Sequence, residues 1–281
     1  MSTHAAVVTA SLGGPLEILQ VPTVRPTGDE VRVRVQWTAS TPLDLHQNDG
    51  GVLVTHPQVL GDGTAGTVVE VGDGVTRLKV GDQVFGFTWR TQKEKSQQEF
   101  CTVPSYLLAK LPPNTTMQEA ITLPNNLVTV FHSLTTDLSL PLPWPRPNSY
   151  MPEHASTPIV IWGGSSSVGQ YAIQILSHYG YSNILTTSSI AHHDLLKSYG
   201  ARETFDYRSR DVVADILSAV EDGKIPFMLD CIGSKEGSLK PLAKIANSGA
   251  RVAVLLPVLV EEKEEGGKGS VYGMDVMSEA E

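Results

Sequence analysis

Residues 159–176 have the sequence IVIWGGSSSVGQYAIQIL, in which a short apolar run is followed by glycines and serines and then by apolar residues at helical spacing. The apolar run from Ile159 to Trp162 predicts a buried strand of a parallel sheet, and the segment from Val168 predicts an amphipathic helix. The glycines and serines therefore lie at a strand-to-helix turn. At such a turn the free amides of the first helical turn and the helix dipole favour a bound anion.

The spacing of the turn residues matches a dinucleotide-binding motif. Gly164, Ser166 and Gly169 fit the pattern G-x-G-x-x-G with serine at the middle position. Gly164 is expected to permit the tight turn, and Gly169 the close packing of the helix on the strand. A flexible turn without a ligand is the alternative, but the strand and helix around the motif favour cofactor binding. The predicted pyrophosphate-binding residues are Gly164, Ser165, Ser166, Ser167, Val168 and Gly169.

The two halves of the chain have different periodicities. From residue 159 to 256, apolar strand candidates alternate with helical stretches, which predicts a Rossmann-type, doubly wound parallel sheet. In the first half, Val31–Trp37 alternates with period two and Gly-Asp turns separate short Val-rich strands, which predicts a β-rich domain. The predicted division is a β-rich domain over 1–124, a dinucleotide-binding domain over 125–260 and an acidic loop or disordered tail over 261–281.

Composition and charge exclude several classes of function. The formal net charge is −9 and no cluster of Lys and Arg is present, so nucleic acid is not an expected partner. The first residues lack a signal-peptide pattern, and the apolar run Val252–Val260 is too short to span a bilayer, so we expect no membrane association and a cytoplasmic location. The two cysteines, Cys101 and Cys231, are too few for a disulfide framework or a four-thiolate zinc site.

The end of the second predicted strand bears on the choice of cofactor. Enzymes that use NAD place an acidic residue about 20 positions after the glycine motif, where it binds the ribose 2′-hydroxyl. Here the strand ends in Thr186-Thr187-Ser188-Ser189, without a carboxylate. Ser188 and Ser189 can donate hydrogen bonds to a 2′-phosphate, so NADP(H) is favoured over NAD(H). The alternative is that both serines cap the following helix.

Several segments match motifs of a known family. The longest is GDGTAGTVVEVGDGVTRLKVGDQVFG at Gly61–Gly86, and the others are 41–44, 123–124, 163–169, 205–207 and 229–233. Together they are similar to the medium-chain dehydrogenase/reductase superfamily, which contains zinc alcohol dehydrogenases and zinc-free quinone and enoyl reductases. The similarity is greatest to fungal zinc-free members and extends to about residue 260. It implies a GroES-like catalytic domain followed by a Rossmann domain.

The resemblance also bears on metal content. Zinc-dependent members bind the metal through a Cys, a His with a neighbouring Glu, and a second Cys. The matching positions here hold Thr41, Asp62 with Gly63, and Asn125. The segment Trp89–Phe100 is short and has no cysteine, so the structural zinc lobe is missing as well. We therefore expect no metal.

Further site residues are implied by the resemblance alone. His46 matches a proton-relay histidine, with a histidine satisfied within the structure as the alternative. Asn125, Asn126 and Thr129 are expected to bind nicotinamide ribose or a substrate oxygen, with helix capping as the alternative for the two asparagines. Thr41 and Asp44 are expected to face the substrate. Tyr207 is expected to lie near the adenosine phosphate, with a surface tyrosine as the alternative. Cys231 is expected to contact the nicotinamide through its backbone.

The resulting hypothesis is a zinc-independent, NADPH-dependent oxidoreductase that transfers hydride to a conjugated carbonyl, enone or quinone-type small molecule, with a role in fungal secondary metabolism implied by resemblance. A catalytically impaired nucleotide-binding or interaction protein is the alternative. The sequence ends at Glu281, before the elements with which family members continue, which favours this alternative or a truncated form. The sequence leaves open whether the protein is a monomer or a homodimer. The residues at the positions of the zinc ligands argue against a zinc alcohol dehydrogenase.

Overall fold

The structure, a computed structural model, describes residues 2–256, 258–260 and 270–272. It contains two compact units, Met1–Val128 and Thr129–Glu281. The division lies within a helix, Pro124–His132, a few residues after the boundary predicted from the sequence. The predicted domain limits thus stay a prediction, and each unit is described separately.

The first unit is rich in antiparallel strands. A five-stranded sheet has the order β7-β3-β5-β6-β8, and a three-stranded sheet has the order β2-β1-β4. The strands are β1 (Thr3–Thr9), β2 (Leu16–Pro22), β3 (Glu30–Thr38), β4 (Gln58–Val59), β5 (Gly63–Val71), β6 (Gln83–Phe87), β7 (Phe100–Pro104) and β8 (Leu108–Lys110). The helices are α1 (Pro42–Gly50), α2 (Met117–Ala120) and the start of α3 (Pro124–His132).

Strand β3 shows why this unit forms sheets. Val31 and Val33 are fully buried, whereas the arginine between them points outward and Arg32 Nη2 lies 2.6 Å from Glu70 Oε2. Val33 pairs in register with Val68 of β5, so the alternate valines of neighbouring strands share one buried face. The period-two pattern of the sequence therefore marks the core-facing side of the sheet.

The second unit is built on a parallel sheet. Its order is β11-β10-β9-β12-β13, so successive strands are added first on one side of β9 and then on the other. The elements are β9 (Ile159–Trp162), α4 (Ser167–Tyr179), β10 (Ile184–Ser188), α5 (His193–Ser198), β11 (Glu203–Asp206), α6 (Val212–Ser218), β12 (Phe227–Asp230), α7 (Lys240–Ile245) and β13 (Arg251–Val254). The reversal of strand order at β9 is where doubly wound sheets bind ligands. The predicted fold class, a β-rich GroES-like domain followed by a Rossmann-type sheet, is confirmed.

Part of the predicted acidic tail, residues 270–272, is described by the structure. Ser270–Tyr272 forms strand β15, which pairs antiparallel with β14 (Val258–Val260). The prediction of a loop or disordered tail is therefore wrong for these three residues, whose Val and Tyr favour extended backbone. The rest of that prediction, at 261–269 and 273–281, lies outside the described residues. Among the helices that the structure describes, none has the length and apolar character needed to cross a bilayer.

Candidate functional site

The turn between β9 and α4 is fixed to the neighbouring strand β10. The Gly163 amide donates to Thr187 Oγ1 at 3.0 Å, and the Gly164 amide donates to the Thr187 carbonyl at 2.8 Å. Gly163 has a φ of 87°, so it makes the tight turn that the sequence analysis assigned to Gly164. Gly164 is required for a different reason, because a Cβ there would lie 2.0 Å from Thr186 Oγ1. The role predicted for Gly164 is thus corrected, and Gly163 is a residue of the turn that the motif spacing missed.

The first turn of α4 packs directly on the backbone of this turn. A Cβ on Gly169 would lie 2.5 Å from the Gly163 carbonyl oxygen and 2.7 Å from Gly164 Cα. The Ser166 hydroxyl caps the helix by accepting the Gly169 amide at 3.1 Å. Gly169 therefore has the packing position expected from the sequence.

The same turn presents unused hydrogen-bond donors. Among the described residues, the amides of Ser165, Ser167 and Val168 donate to no acceptor. The helix that starts here is 13 residues long, so its dipole adds to the attraction for an anion. This turn fits the diphosphate of a dinucleotide cofactor, because it offers free amides, serine hydroxyls and a backbone conformation that only glycine permits.

A buried carboxylate organises the neighbouring loop at the end of β12. Asp230 is fully buried, and its Oδ1 accepts the amides of Ile232 at 2.9 Å and Gly233 at 3.1 Å. Its Oδ2 accepts the Ser238 hydroxyl at 2.6 Å. This network holds the Ile232 side chain over Gly163, where a Cβ would meet Ile232 Cδ1 at 2.6 Å. The hydrogen bonds of Asp230 thus fix the loop that lies beside the predicted cofactor turn.

Cys231 belongs to this loop. It is half-buried as a residue, but burial of the thiol raises its pKa to about 12, and a hydrogen bond with Ser166 only partly opposes the rise. A thiol with this pKa is protonated at neutral pH and is therefore a poor nucleophile. The predicted role of Cys231, a backbone contact with the nicotinamide, thus needs no reactive sulfur and stays a prediction.

The carboxyl ends of β10 and β11 place the 2′-phosphate candidates side by side. Ser188 pairs in register with Asp206, so the next residues, Ser189 and Tyr207, follow the ends of two neighbouring strands. The Ser188 hydroxyl donates to the Ser189 carbonyl at 3.0 Å, and Ser189 precedes a short 3₁₀ turn without capping it through its side chain. The exposed Arg208, which sequence reasoning missed, has its guanidinium 5.0 Å from the centre of the Tyr207 ring.

In the first unit, Asp44 links three segments. Its Oδ2 accepts the Thr41 amide at 3.0 Å and Gln97 Nε2 at 3.2 Å, and its Oδ1 accepts the Gly61 amide at 3.1 Å. The side chain is buried. Both carboxylate oxygens are therefore engaged within the unit, so Asp44 positions Thr41 and Gly61.

Asp62 and Asn125 are neighbours of this carboxylate. Asn125 Nδ2 donates to Asp62 Oδ2. Burial raises the pKa of Asp62 to about 6, the charge of Asp44 adds to the rise, and Lys95 and the Asn125 hydrogen bond oppose it. Asp62 was considered in the sequence only as a replaced zinc ligand, and its burial was not foreseen.

These residues belong to one polar group of buried and half-buried side chains, which we call the Asp44 cluster. A Cβ on Gly61 would lie 3.2 Å from Thr38 Oγ1 and 2.7 Å from Gln97 Cγ, which places both side chains at its edge. Two of its buried oxygens, Thr38 Oγ1 and Asp62 Oδ1, have no hydrogen-bond partner in the part of the chain that the structure describes. The members are Thr38, Thr41, Asp44, Asp62, Lys95, Gln97 and Asn125.

The other predicted site residues lie outside the Asp44 cluster. His46 is exposed on α1, and its ring makes no hydrogen bond to another described residue. Asn126 Nδ2 donates to the Thr122 carbonyl at 3.1 Å, and Thr129 is half-buried in the second unit. The hydrogen bonds of the Asn125 and Asn126 amides are not those of helix caps, in which a side-chain oxygen accepts a backbone amide.

The positions that match the zinc ligands of zinc-dependent members do not fit that metal. Thr41, Asp62, Gly63 and Asn125 supply no thiolate or imidazole, and the buried Lys95 adds a positive charge to the same cluster. No group of three or more His, Cys, Asp and Glu side chains suited to a metal occurs in residues 2–256 or the other described segments.

Comparison with known proteins agrees with the two units. The model of the alcohol dehydrogenase GroES-like domain matches residues 27–132, and the model of the zinc-binding dehydrogenase domain matches residues 167–257. The second name refers to a family, and the residues of this chain do not fit zinc.

Curated relatives extend the similarity. The chain is 34% identical over 216 residues to the trans-enoyl reductase himH of Aspergillus japonicus, covering 75% of this chain and 61% of that protein. It is 33% identical over 251 residues to the trans-enoyl reductase tndF of Aspergillus flavipes, covering 86% of this chain and 70% of that protein. The chain therefore spans roughly two thirds of the length of these relatives.

The fold is also found in solved structures. The quinone oxidoreductase of Pseudomonas syringae pv. Tomato DC3000 superposes with a TM-score of 0.72 at 24% identity, over 90% of this chain and 73% of that chain. With its Gly/Ser turn on a doubly wound sheet, its GroES-like unit and these relatives, the chain belongs to the medium-chain dehydrogenase/reductase superfamily.

Proposed function

We propose that the chain is a zinc-independent, NADPH-dependent reductase that transfers hydride to a small molecule with a conjugated carbonyl group, such as an enone, an enoyl thioester or a quinone. The observation that carries the proposal is the β9–α4 turn, whose free amides suit a dinucleotide diphosphate. The names of the trans-enoyl reductase relatives support a conjugated carbonyl substrate and a role in fungal secondary metabolism.

In this proposal, bound NADPH supplies the hydride, and the protein binds and orients the reactants. The turn residues from Gly163 to Gly169 hold the diphosphate, and the loop fixed by Asp230 lies beside it. Asn125 and Thr129 bind nicotinamide ribose or a substrate oxygen, and the substrate side includes Thr41 and Asn126. His46 relays a proton at the surface of α1.

Selectivity for NADPH is proposed to reside at the ends of β10 and β11. No carboxylate directly follows β10, so the acidic residue that would repel a 2′-phosphate is absent after Ser188 and Ser189. Tyr207 holds the Arg208 guanidinium against its ring, and a guanidinium binds phosphate strongly. Asp206, in register with Ser188, uses one carboxylate oxygen, Oδ1, to accept the Arg208 amide at 3.0 Å.

Arg208→Ala is expected to weaken NADPH binding about tenfold and to leave NADH binding unchanged, because the guanidinium meets only the 2′-phosphate. Titration of nicotinamide fluorescence gives both dissociation constants. The wild type is expected to prefer NADPH at least about tenfold. The matched control is Arg25→Ala, which removes a similarly exposed arginine from the first unit. Equal losses for both cofactors, or a wild type that prefers NADH, would contradict the cofactor assignment.

Turnover tests the reductase itself. NADPH oxidation is followed at 340 nm with a crotonyl thioester, 2-cyclohexen-1-one and 1,4-benzoquinone in turn. Oxidation with at least one of them supports the proposed function. Tight NADPH binding without oxidation of NADPH by any of the three would support the alternative of a nucleotide-binding protein without catalysis.

A further inference from the structure

Strand β2 is an open edge of the first unit. The three-stranded sheet has the order β2-β1-β4, and among the strands that the structure describes β2 pairs only with β1. The pairing includes every residue of β2 and has no register shift. Natural sheets protect such edges with lysines, bulges or very short strands. The sequence of β2, LEILQVP, uses none of these devices, and its proline, Pro22, stands at the end of the strand.

The hydrogen bonds of β1 show which backbone groups of β2 are unused. Val7 of β1 lies opposite Ile18, but its amide donates to the Gln97 carbonyl at 2.7 Å, on the side away from β2. Residue pairs of antiparallel strands alternate between those that exchange hydrogen bonds and those that do not. The backbone amides and carbonyls that point to the open side of β2 are therefore those of Leu16, Ile18 and Gln20.

The side chains along this edge are apolar and exposed. Ile18 is 76% exposed and Leu16 is 52% exposed. They lie on the same face of the sheet, because residues two apart in a strand point the same way. Leu19 points to the opposite face, where it packs against the buried Ala6. The edge thus combines unpaired backbone groups with apolar side chains that a further strand would cover.

A second copy of β2 complements this edge. With the strands antiparallel and Ile18 opposite Ile18, Leu16 of each copy lies opposite Gln20 of the other, and each of these pairs exchanges two hydrogen bonds. The smallest shifts that keep the outward groups paired are less favourable. One brings Glu17 opposite Glu17, and the other brings Pro22, which has no amide hydrogen, opposite Leu16. The sequence of β2 therefore favours one register with its own copy.

The charges beside the strand agree with this register. Glu17 of the second copy lies opposite Leu19, on the side of the sheet that contains a groove of about 420 Å³. Leu19, Pro57 and Lys93 are among the residues that line this groove. Lys93 also pairs with Glu30, and it gives the groove a positive charge. The carboxylate of one copy is thus placed on the side of the other copy that carries a lysine.

We propose that two copies of the chain associate through β2, so that their three-stranded sheets form one continuous sheet across a two-fold axis at Ile18. The inference goes beyond the proposed function and does not depend on it, because every residue that it uses belongs to the first unit. The contact is a single pair of strands, so we expect a reversible dimer with a dissociation constant of about 1–100 µM.

The mass of the protein in solution is the direct test. Sedimentation equilibrium between about 2 and 500 µM is expected to show an average mass that rises from 30.3 kDa towards twice that value. Ile18→Lys places two ammonium groups opposite each other at the axis, and it is expected to weaken the dimer at least about tenfold. The matched control is Val252→Lys, at an exposed position of β13, the edge strand of the other sheet, which should leave the association unchanged.

Hydrogen exchange followed by NMR tests the strand pairing itself. The amides of Leu16, Ile18 and Gln20 are expected to exchange more slowly at about 500 µM than at about 20 µM. The amides of Glu17 and Leu19 point to β1 and should not change. Equal slowing of all five amides would mean that the strand is covered without pairing, and it would overturn the proposed register and the proposed contact.

The mass measurements separate the remaining outcomes. A mass of 30.3 kDa at every concentration overturns the inference. A dimer that Ile18→Lys leaves intact also overturns it, and a dimer lost in Val252→Lys instead would place the contact at β13. Should Ile18→Lys not fold, Leu16→Lys decides in the same way, because Leu16 is the next residue whose backbone points outward.

Discussion

Gly169→Ala is expected to weaken NADPH binding at least about 100-fold and to lower the free energy of unfolding by about 2–4 kcal/mol. The added Cβ would lie 2.5 Å from the Gly163 carbonyl oxygen and 2.7 Å from Gly164 Cα. Both contacts are with backbone, so no side chain can rotate away, and the first turn of α4 must move off β9. That movement also displaces the free amides of Ser167 and Val168 from the predicted diphosphate.

The control for this substitution is Gly50→Ala. Gly50 is also the residue of a helix, α1, but a Cβ there meets only Val52 Cγ2 at 3.7 Å, an ordinary contact. The expected change in unfolding free energy is below about 1 kcal/mol, and NADPH binding should be unaffected. Urea unfolding and NADPH titration of the two variants give both quantities. A Gly169→Ala protein that binds NADPH as the wild type does would mean that α4 does not deliver the cofactor-binding amides.

The parts of the fold that local periodicity determines could be predicted from the sequence. The run at Ile159–Trp162 is apolar on both faces because β9 is the central strand of a covered parallel sheet, and the valines of β3 alternate because only one face is buried. In both cases the residues that carry the pattern are also the residues that are buried. The turn between β9 and α4 could be predicted because it lies between an apolar run and a segment with apolar residues at helical spacing.

The choice between Gly163 and Gly164 at this turn could not be predicted in the same way. The two glycines are adjacent, and they differ in their contacts with the next strand, where Gly163 donates to Thr187 and Gly164 packs on Thr186. The spacing of a motif does not contain this contact. The Asp44 cluster poses the same difficulty on a larger scale, since its members come from separate segments.

Lys95 is the clearest example of burial that sequence does not signal. It lies in the polar segment Thr91–Phe100, where its neighbour Glu94 is 3% exposed and Lys95 is 4% exposed. Composition alone predicts a solvated loop for such a segment. Burial results from non-local partners, because Gln97 donates to Asp44 and the Gln97 amide donates to the Leu60 carbonyl at 2.9 Å. The burial of Lys95 was therefore found only in the structure.

Asp62→Asn is expected to stabilise the protein increasingly as the pH rises. Burial raises the pKa of the Asp62 carboxyl from 3.8 to about 6 in the folded chain. The folded state therefore binds more protons than the unfolded state between about pH 4 and pH 6, so the stability of the wild type falls across this interval. The difference in pKa corresponds to about 3 kcal/mol. Asparagine at this position has no charge to bury at any pH.

The measurement is the free energy of unfolding in urea for both proteins at about pH 4, 5, 6, 7 and 8. The difference between Asp62→Asn and the wild type is expected to grow by up to about 3 kcal/mol from the lowest pH to the highest, with most of the change between pH 4 and 6. Asp137→Asn, which neutralises an exposed carboxylate, is the control and should change stability little. A constant difference across the pH range would mean that Asp62 is ionised at little cost, and that the space beside its unpaired Oδ1 holds water.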